Sequence, residues 1–205
     1  MTPNKITAQI AEQSKRQFDT PFRLLLGDRI RTLRSRLIRQ TLQAHPLEVN
    51  AFQQSINLEM VPAEFTCEGI GCTGSISKLS VPELLRFNNQ LFQYVGSIDG
   101  SNAFSLVEPG QYTYMRHSRF PATYFEYVNN RIRVMAQVSS IRVDGVFDDT
   151  EAAALLQCTY DNTADCDWWN SPFKANGDII DKIIELLSKE FRINTEQNIE
   201  ADYEK

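Results

Sequence analysis

Between Pro21 and Pro46 no other proline interrupts the chain, and Leu26, Ile30, Leu33 and Leu37 follow one another at steps of four, three and four. That spacing places them on one stripe of an α-helix, which Leu24, Ile38 and Leu42 widen. Thr20 is the expected N-cap, with Pro21 at the first helical position, where a missing N–H goes unnoticed. His45 ends the helix, because a residue before proline avoids helical geometry. Gly27 weakens it by about 1 kcal/mol relative to alanine. A stripe of this length has to be covered by another element. Ile6 to Phe18, free of Gly and Pro and rich in Ala, Gln, Glu and Lys, predicts a preceding helix that stops at Asp19-Thr20-Pro21.

The same helix carries Arg23, Arg29, Arg31, Arg34, Arg36 and Arg39. At about 100° per residue they spread over nearly all the circumference that the stripe leaves free. A solvated helix surface is the plain reading. Six Arg and no Lys within 17 residues points instead to planar groups that grip carboxylates or phosphates, since Lys serves solubility equally well.

These arginines dominate an uneven charge distribution. The 205 residues carry a net charge of -5, but residues 1–44 hold nine Lys or Arg against three acids, a balance of +6. The rest hold 12 basic and 23 acidic groups, a balance of -11. A basic head on an acidic body suits nucleic-acid binding, and it suits a head lying on the body of the next subunit equally well. With 42% hydrophobic residues the chain is expected to be one soluble globular domain with its own core. It has no apolar run long enough to span a bilayer, and Met1 to Ile10 lacks the pattern of a leader, so a cytosolic origin is expected.

Downstream, a helical turn and a strand at 55–61 are expected, then a long loop from Pro62 to Pro82 containing Gly69, Gly71 and Gly74. The stretch 92–127 holds most of the aromatic residues and predicts strands, divided by Asp99-Gly100 and Pro109-Gly110. The clearest hairpin joins Thr123–Val128 to Arg131–Gln137 through Asn129-Asn130, because Asn tolerates the positive φ that a type I′ turn needs twice. A strand from Ile141 to Phe147 follows. Asp148-Asp149-Thr150 then caps a short helix over Glu151–Gln157. Asp178 is the expected cap of a last helix, Ile179–Phe191, with Ile180, Ile183, Ile184 and Leu187 on one face. The polar residues 193–205 read as a mobile tail. These elements predict an α+β fold: an N-terminal helical arm over 1–46, and a body over 47–192 with a mainly antiparallel sheet or small sandwich and a C-terminal helix. The acidic tail, 193–205, completes it.

Residues suited to catalysis are sparse. Cys67 and Cys72 form one spaced pair, and Cys158 and Cys166 another. They fit a four-thiolate zinc site poorly, because neither pair has the tight knuckle gap; contact between the pairs and unrelated reduced thiols are the other readings. His45 sits at a helix end and His117 in a basic loop. Gly69-x-Gly71-x-x-Gly74 matches a dinucleotide fingerprint only formally, without the β-α-β unit around it. Asp144, Asp148 and Asp149, with Asp161, Asp165 and Asp167, lack the spacing of a calcium loop, and capping explains the first group. No cofactor is expected. Trp168 and Trp169 lie side by side in a polar loop, where neighbouring side chains diverge, so at least one is a candidate contact residue or else lies over its own domain's surface.

The order of segments adds a resemblance. The pieces are Gln13-x-x-x-Arg16-Gln17-Phe18-Asp19, Arg36-Leu37-Ile38-Arg39-Gln40, Leu85-Arg86-Phe87, Phe92 to Gly100, Arg119-Phe120, Tyr127 to Ile132 and Ile141 to Asp149. Together they resemble virion structural proteins of short-tailed double-stranded DNA phages, particularly the crAss-like group, over about residues 5 to 192. The resemblance implies a non-enzymatic head-to-tail connector or adaptor. Such a subunit forms a homo-oligomeric ring of about a dozen copies in the virion neck, binds portal and further neck or tail proteins, and touches packaged DNA non-specifically. Where an acidic stretch would precede the final helix, this chain has Asp165 to Pro172. The six arginines and the tryptophan pair are the expected interface or DNA-channel residues. The alternative expectation is a DNA-binding module working through the arginine helix.

Overall fold

The computed structural model describes residues 1–67, 70–86, 90–108, 111, 123–161 and 175–203. In chain order the elements are α1 (Pro3–Gln13), α2 (Thr20–Ala44), a 3-10 turn (Pro46–Glu48), α3 (Val49–Phe52), β1 (Gln54–Cys67), β2 (Ile70–Ser77), β3 (Tyr94–Gly96), β4 (Ser105–Leu106), β5 (Tyr124–Val128), β6 (Arg131–Val134), β7 (Ser140–Gly145), α4 (Thr150–Asp161) and α5 (Gly177–Tyr203). The fold is α+β. It comprises two compact units, Met1–Phe52 with Asp167–Lys205, and Gln53–Cys166. The last helix thus groups with the first two.

In the helical unit, Ile6 and Ile10 of α1, Phe22, Leu26, Ile30 and Ile38 of α2, and Ile183 and Leu187 of α5 are all buried. Each such side chain stabilises the fold by about 1.5–3 kcal/mol relative to exposure. The rings of Phe22 and Phe191 meet edge to face, 4.9 Å between centroids. Helix ends depart from the expected positions for local reasons. α1 stops at Gln13, not Phe18, because Lys15 turns left-handed at φ 55°. There the Lys15 N–H donates to the Glu12 carbonyl and the Arg16 N–H to the Ala11 carbonyl, which are the two bonds of a Schellman cap. Asp19, not Thr20, caps α2, its Oδ1 accepting the Phe22 N–H at 3.0 Å; a carboxylate there also meets the positive end of the helix dipole. Asn176, not Asp178, caps α5 by accepting the Ile179 N–H at 3.0 Å. Residues 193–203, expected to be a mobile tail, continue α5, in a stretch rich in helix-forming residues and free of Gly and Pro.

The other unit is a seven-stranded sheet in the order β3-β7-β1-β2-β6-β5-β4. Every pair is antiparallel except β4 with β5. β1 spans 14 residues and serves two partners in succession, Gln54–Glu59 against β7 and Met60–Cys67 against β2. The loop expected from Pro62 to Pro82 is thus largely strand. Gly71 and Gly74 pair with Thr66 and Ala63 across an antiparallel hairpin, so the formal nucleotide fingerprint has no strand-to-helix turn. Pairing on both sides, to β1 and β6, outweighs the low strand propensity of Gly and Ser. The Asn129-Asn130 turn has φ values of 53° and 58°, the geometry its sequence predicts.

The sheet curls until its two edges almost meet. The chain leaves β3, turns at Gly100 with φ 77°, and returns so that the Phe104 N–H donates to the Val95 carbonyl at 2.7 Å before β4 joins β5. Gly96 lies at this seam. A Cβ there would collide with the Asn102 carbonyl and with the Tyr94 hydroxyl, which donates to the Ser97 and Asn102 carbonyls. Inside the curl, Ile56, Leu58, Phe125, Ile132, Val134, Ile141, Val143 and Phe147 form one buried cluster that also takes in Ala153 of α4.

Candidate interaction site

The structure divides the six arginines of α2. Arg34 is 1% exposed, a buried residue of the helix. Arg23 donates to Asn4 Oδ1 of α1 at 3.0 Å, Arg31 meets Asp28 at 3.4 Å, and Arg29 meets Glu190 of α5 at 2.9 Å. Arg29, Arg36 and Arg39 lie on the exposed face, within an arc of about 80° at 100° per residue. Within the spread around the helix, these three form one outward arginine face opposite buried Arg34. Leu25, Thr32 and Gln43 complete that face, which is roughly 27 Å long at 1.5 Å per residue. The exposed ion pair of Arg29 contributes at most about 1 kcal/mol, so this face is not needed to hold the helices together.

Exposed apolar residues accompany it. Phe18, in the turn after α1, is 92% exposed; Leu24 and Leu25, at the start of α2, are 61% and 49% exposed; Leu47, beyond its end, is 94% exposed. Sequence reasoning placed Phe18 as the last residue of a helix and so missed it. The signal was there in the Asp19-Thr20-Pro21 breaker, which already put Phe18 at the edge of regular structure.

A concave feature of the sheet unit lies where β1 changes partner. Beyond Met60 the β2 side of β1 is paired; before it, only the Lys78 N–H continues the ladder, to the Glu59 carbonyl. α4 covers the remaining edge, and Gln157 Oε1 accepts the Asn57 N–H at 2.6 Å. A cleft of about 140 Å³ is left between α4 and this corner, lined by Leu58, Leu79, Leu156, Thr159 and Tyr160. The Glu59–Lys78 ion pair, 2.8 Å, stands at its rim. Leu79 belonged to the expected loop, so no periodicity pointed to the cleft.

The acidic residues have structural partners. Asp144, 5% exposed in its side chain, accepts from Arg142 Nε and Nη2, both at 2.8 Å, across from Tyr94, whose ring lies 5.7 Å from the guanidinium. That carboxylate pushes the Arg142 pKa further up. Asp149 accepts the Glu151 and Ala152 N–H groups at 3.0 Å and caps α4, as expected. In the Asp99 turn, hydrogen bonds from Ser97 and then Ser101 hold the carboxyl down at about 2.

Of the cysteines, Cys158 on α4 is disulfide-bonded. Its sulfur is therefore neither a free thiol nor, in this state, a zinc-binding thiolate, which corrects both readings for that residue. Cys67 and Cys72 lie on the β1–β2 hairpin, opposite Ile70 and Phe65 respectively. Cys166, Trp168, Trp169 and His117 lie outside the described residues. Among the described residues no group of three or more His, Cys, Asp or Glu is placed to hold a metal ion, and no helix is long and apolar enough to cross a membrane. No protein-family model matches the chain, and no curated protein matches it.

Proposed function

We propose that this chain is a structural subunit of a phage head-to-tail connector, a ring in the virion neck that joins portal to tail and surrounds the DNA path. The observation that carries this reading is the outer face of α2. Arg36 and Arg39 point away from the core, and Leu24 and Leu25 stand exposed at the start of the same helix. A monomer gains nothing from exposing both, whereas an interface uses apolar anchors for energy and arginines for register. The complementary charge is present on the same chain, because residues 53–166 carry seven basic and 13 acidic groups, a balance of -6. A basic face meeting an acidic body on the next copy is a heterologous contact, and such contacts close into rings when the rotation is right.

Electron microscopy of the purified chain with and without portal protein tests this. Rings of about a dozen subunits are expected when portal is present. A chain that stays single with portal sinks the reading.

A second reading is favoured by the same outward arginines: a DNA-binding module that grips phosphates through Arg29, Arg36 and Arg39. It predicts affinity that falls by about 0.9 log unit per phosphate contacted for each log unit of salt. The net charge of -5 opposes it, since the body repels the duplex as the helix attracts it.

A further inference from the structure

We infer that the contact closing the ring is a knob and a hole: Phe18 of one copy seats in the cleft between α4 and β1 of the next. This rests on the ring reading and names the surfaces that such a ring would join. Phe18 is the most exposed aromatic residue among those described, at 92%, and it is held out on a structured turn. The Schellman cap at Lys15 fixes the backbone before it, and the Asp19 cap, itself ion-paired to Arg16 at 2.9 Å, fixes the backbone after it. With the backbone already fixed, only the ring's own rotamers have to be ordered on binding.

The hole matches in size and chemistry, and the unit that carries it has the complementary net charge. A cavity of about 150 Å³ lined by apolar side chains accepts a benzene ring, and this cleft offers about 140 Å³ walled by Leu58, Leu79 and Leu156, with Tyr160 for edge-to-face contact. Lys15 and Arg16 flank the knob. Glu59 stands at the rim of the hole, paired to Lys78, in a unit whose balance is -6. Leu79 and Leu155, 42% and 60% exposed, extend the apolar surface beyond the cleft. Knob and hole are different surfaces of one copy, so the contact is heterologous, the head-to-tail pattern that a ring requires.

The test uses two full-length variants. Phe18→Asp removes the knob, and Thr159→Trp blocks the cleft mouth from an exposed helix position without touching the core. Thermal unfolding of both, compared with wild type, checks that each is folded. Native mass spectrometry then reads assembly. Each variant alone is expected to need a concentration at least about 30-fold higher to assemble, the effect of losing a hot-spot anchor. An equimolar mixture of the two is expected to give pairs and nothing larger, because one intact knob and one intact hole remain. Rings of Phe18→Asp that form as readily as wild type overturn this contact and leave the ring reading standing, as does a mixture that fails to pair. A wild-type chain that stays single with portal overturns both.

Discussion

The helical unit and the sheet unit both have buried cores, but they expose apolar residues to different degrees. In the sheet unit Phe147, Ile141, Val143 and Ile132 are fully buried, and the backbone ladder nearly closes on itself at Val95 and Phe104. In the helical unit a complete core coexists with Phe18, Leu24, Leu25 and Leu47 exposed. The sheet unit exposes apolar side chains too, Leu79, Ile98, Leu106 and Leu155, but none of these beyond 60%, whereas Phe18 and Leu47 stand at 92% and 94%. The difference teaches where to look for contacts between molecules: beside a finished core, not in an unfinished one.

Two phenylalanines put the sharpest test to this contrast. Phe147→Ala is expected to cost about 3–5 kcal/mol of stability, through lost burial and the cavity left behind. Phe18→Ala should change the stability of the isolated chain by less than about 0.5 kcal/mol. Denaturant unfolding of both variants decides it, and a comparable loss for Phe18→Ala would erase the distinction between the two units. A smaller effect belongs to the seam. Gly96→Ala forces a methyl group against the Asn102 backbone carbonyl and the Tyr94 ring, and a cost of about 1–3 kcal/mol is expected, as for other overpacked sites. Gly96→Ala protein as stable as wild type would mean that the seam yields freely and the sheet edges are open.

The smallest effect expected is at the exposed Asp99 turn. Its folded-state pKa of about 2 lies below the ordinary carboxylate value, so its contribution is fully present above about pH 4 and is lost as pH falls through the folded value. NMR titration should find the Asp99 carboxyl still ionised at pH 3. The surrounding turn should loosen only below that, with the core ladders of β1 and β7 unmoved. A carboxyl that titrates near 4 would show that the serines do not hold it.

What was legible in the sequence follows the range of the interactions. α2 and the Asn129-Asn130 hairpin were legible because their signals lie within the element: a 3.6-residue stripe in one, two residues that accept positive φ in the other. β2 was not, because its Gly and Ser residues are poor strand formers and only pairing to β1 and β6 makes them strand. The grouping of α5 with α1 and α2 was hidden for the same reason, since more than a hundred residues separate them. The arginine face was partly legible. The helical angles that scatter the six residues also place Arg29, Arg36 and Arg39 together, but only burial shows that Arg34 points inward and has left that set. The cleft depended on a tertiary corner between β1 and α4, which no local pattern encodes.

The partnership of α5 with α1 and α2 also imposes a timetable on synthesis. The first two helices leave the ribosome early, yet the helix that covers them starts at Gly177. At about 5–20 residues per second the wait is on the order of ten seconds. β1 waits about three-fifths as long, because its Gln54–Glu59 part pairs with β7 at Ser140–Gly145. For most of its birth the nascent chain therefore displays the faces that its finished fold conceals, which makes delayed self-association part of what the fold has to manage.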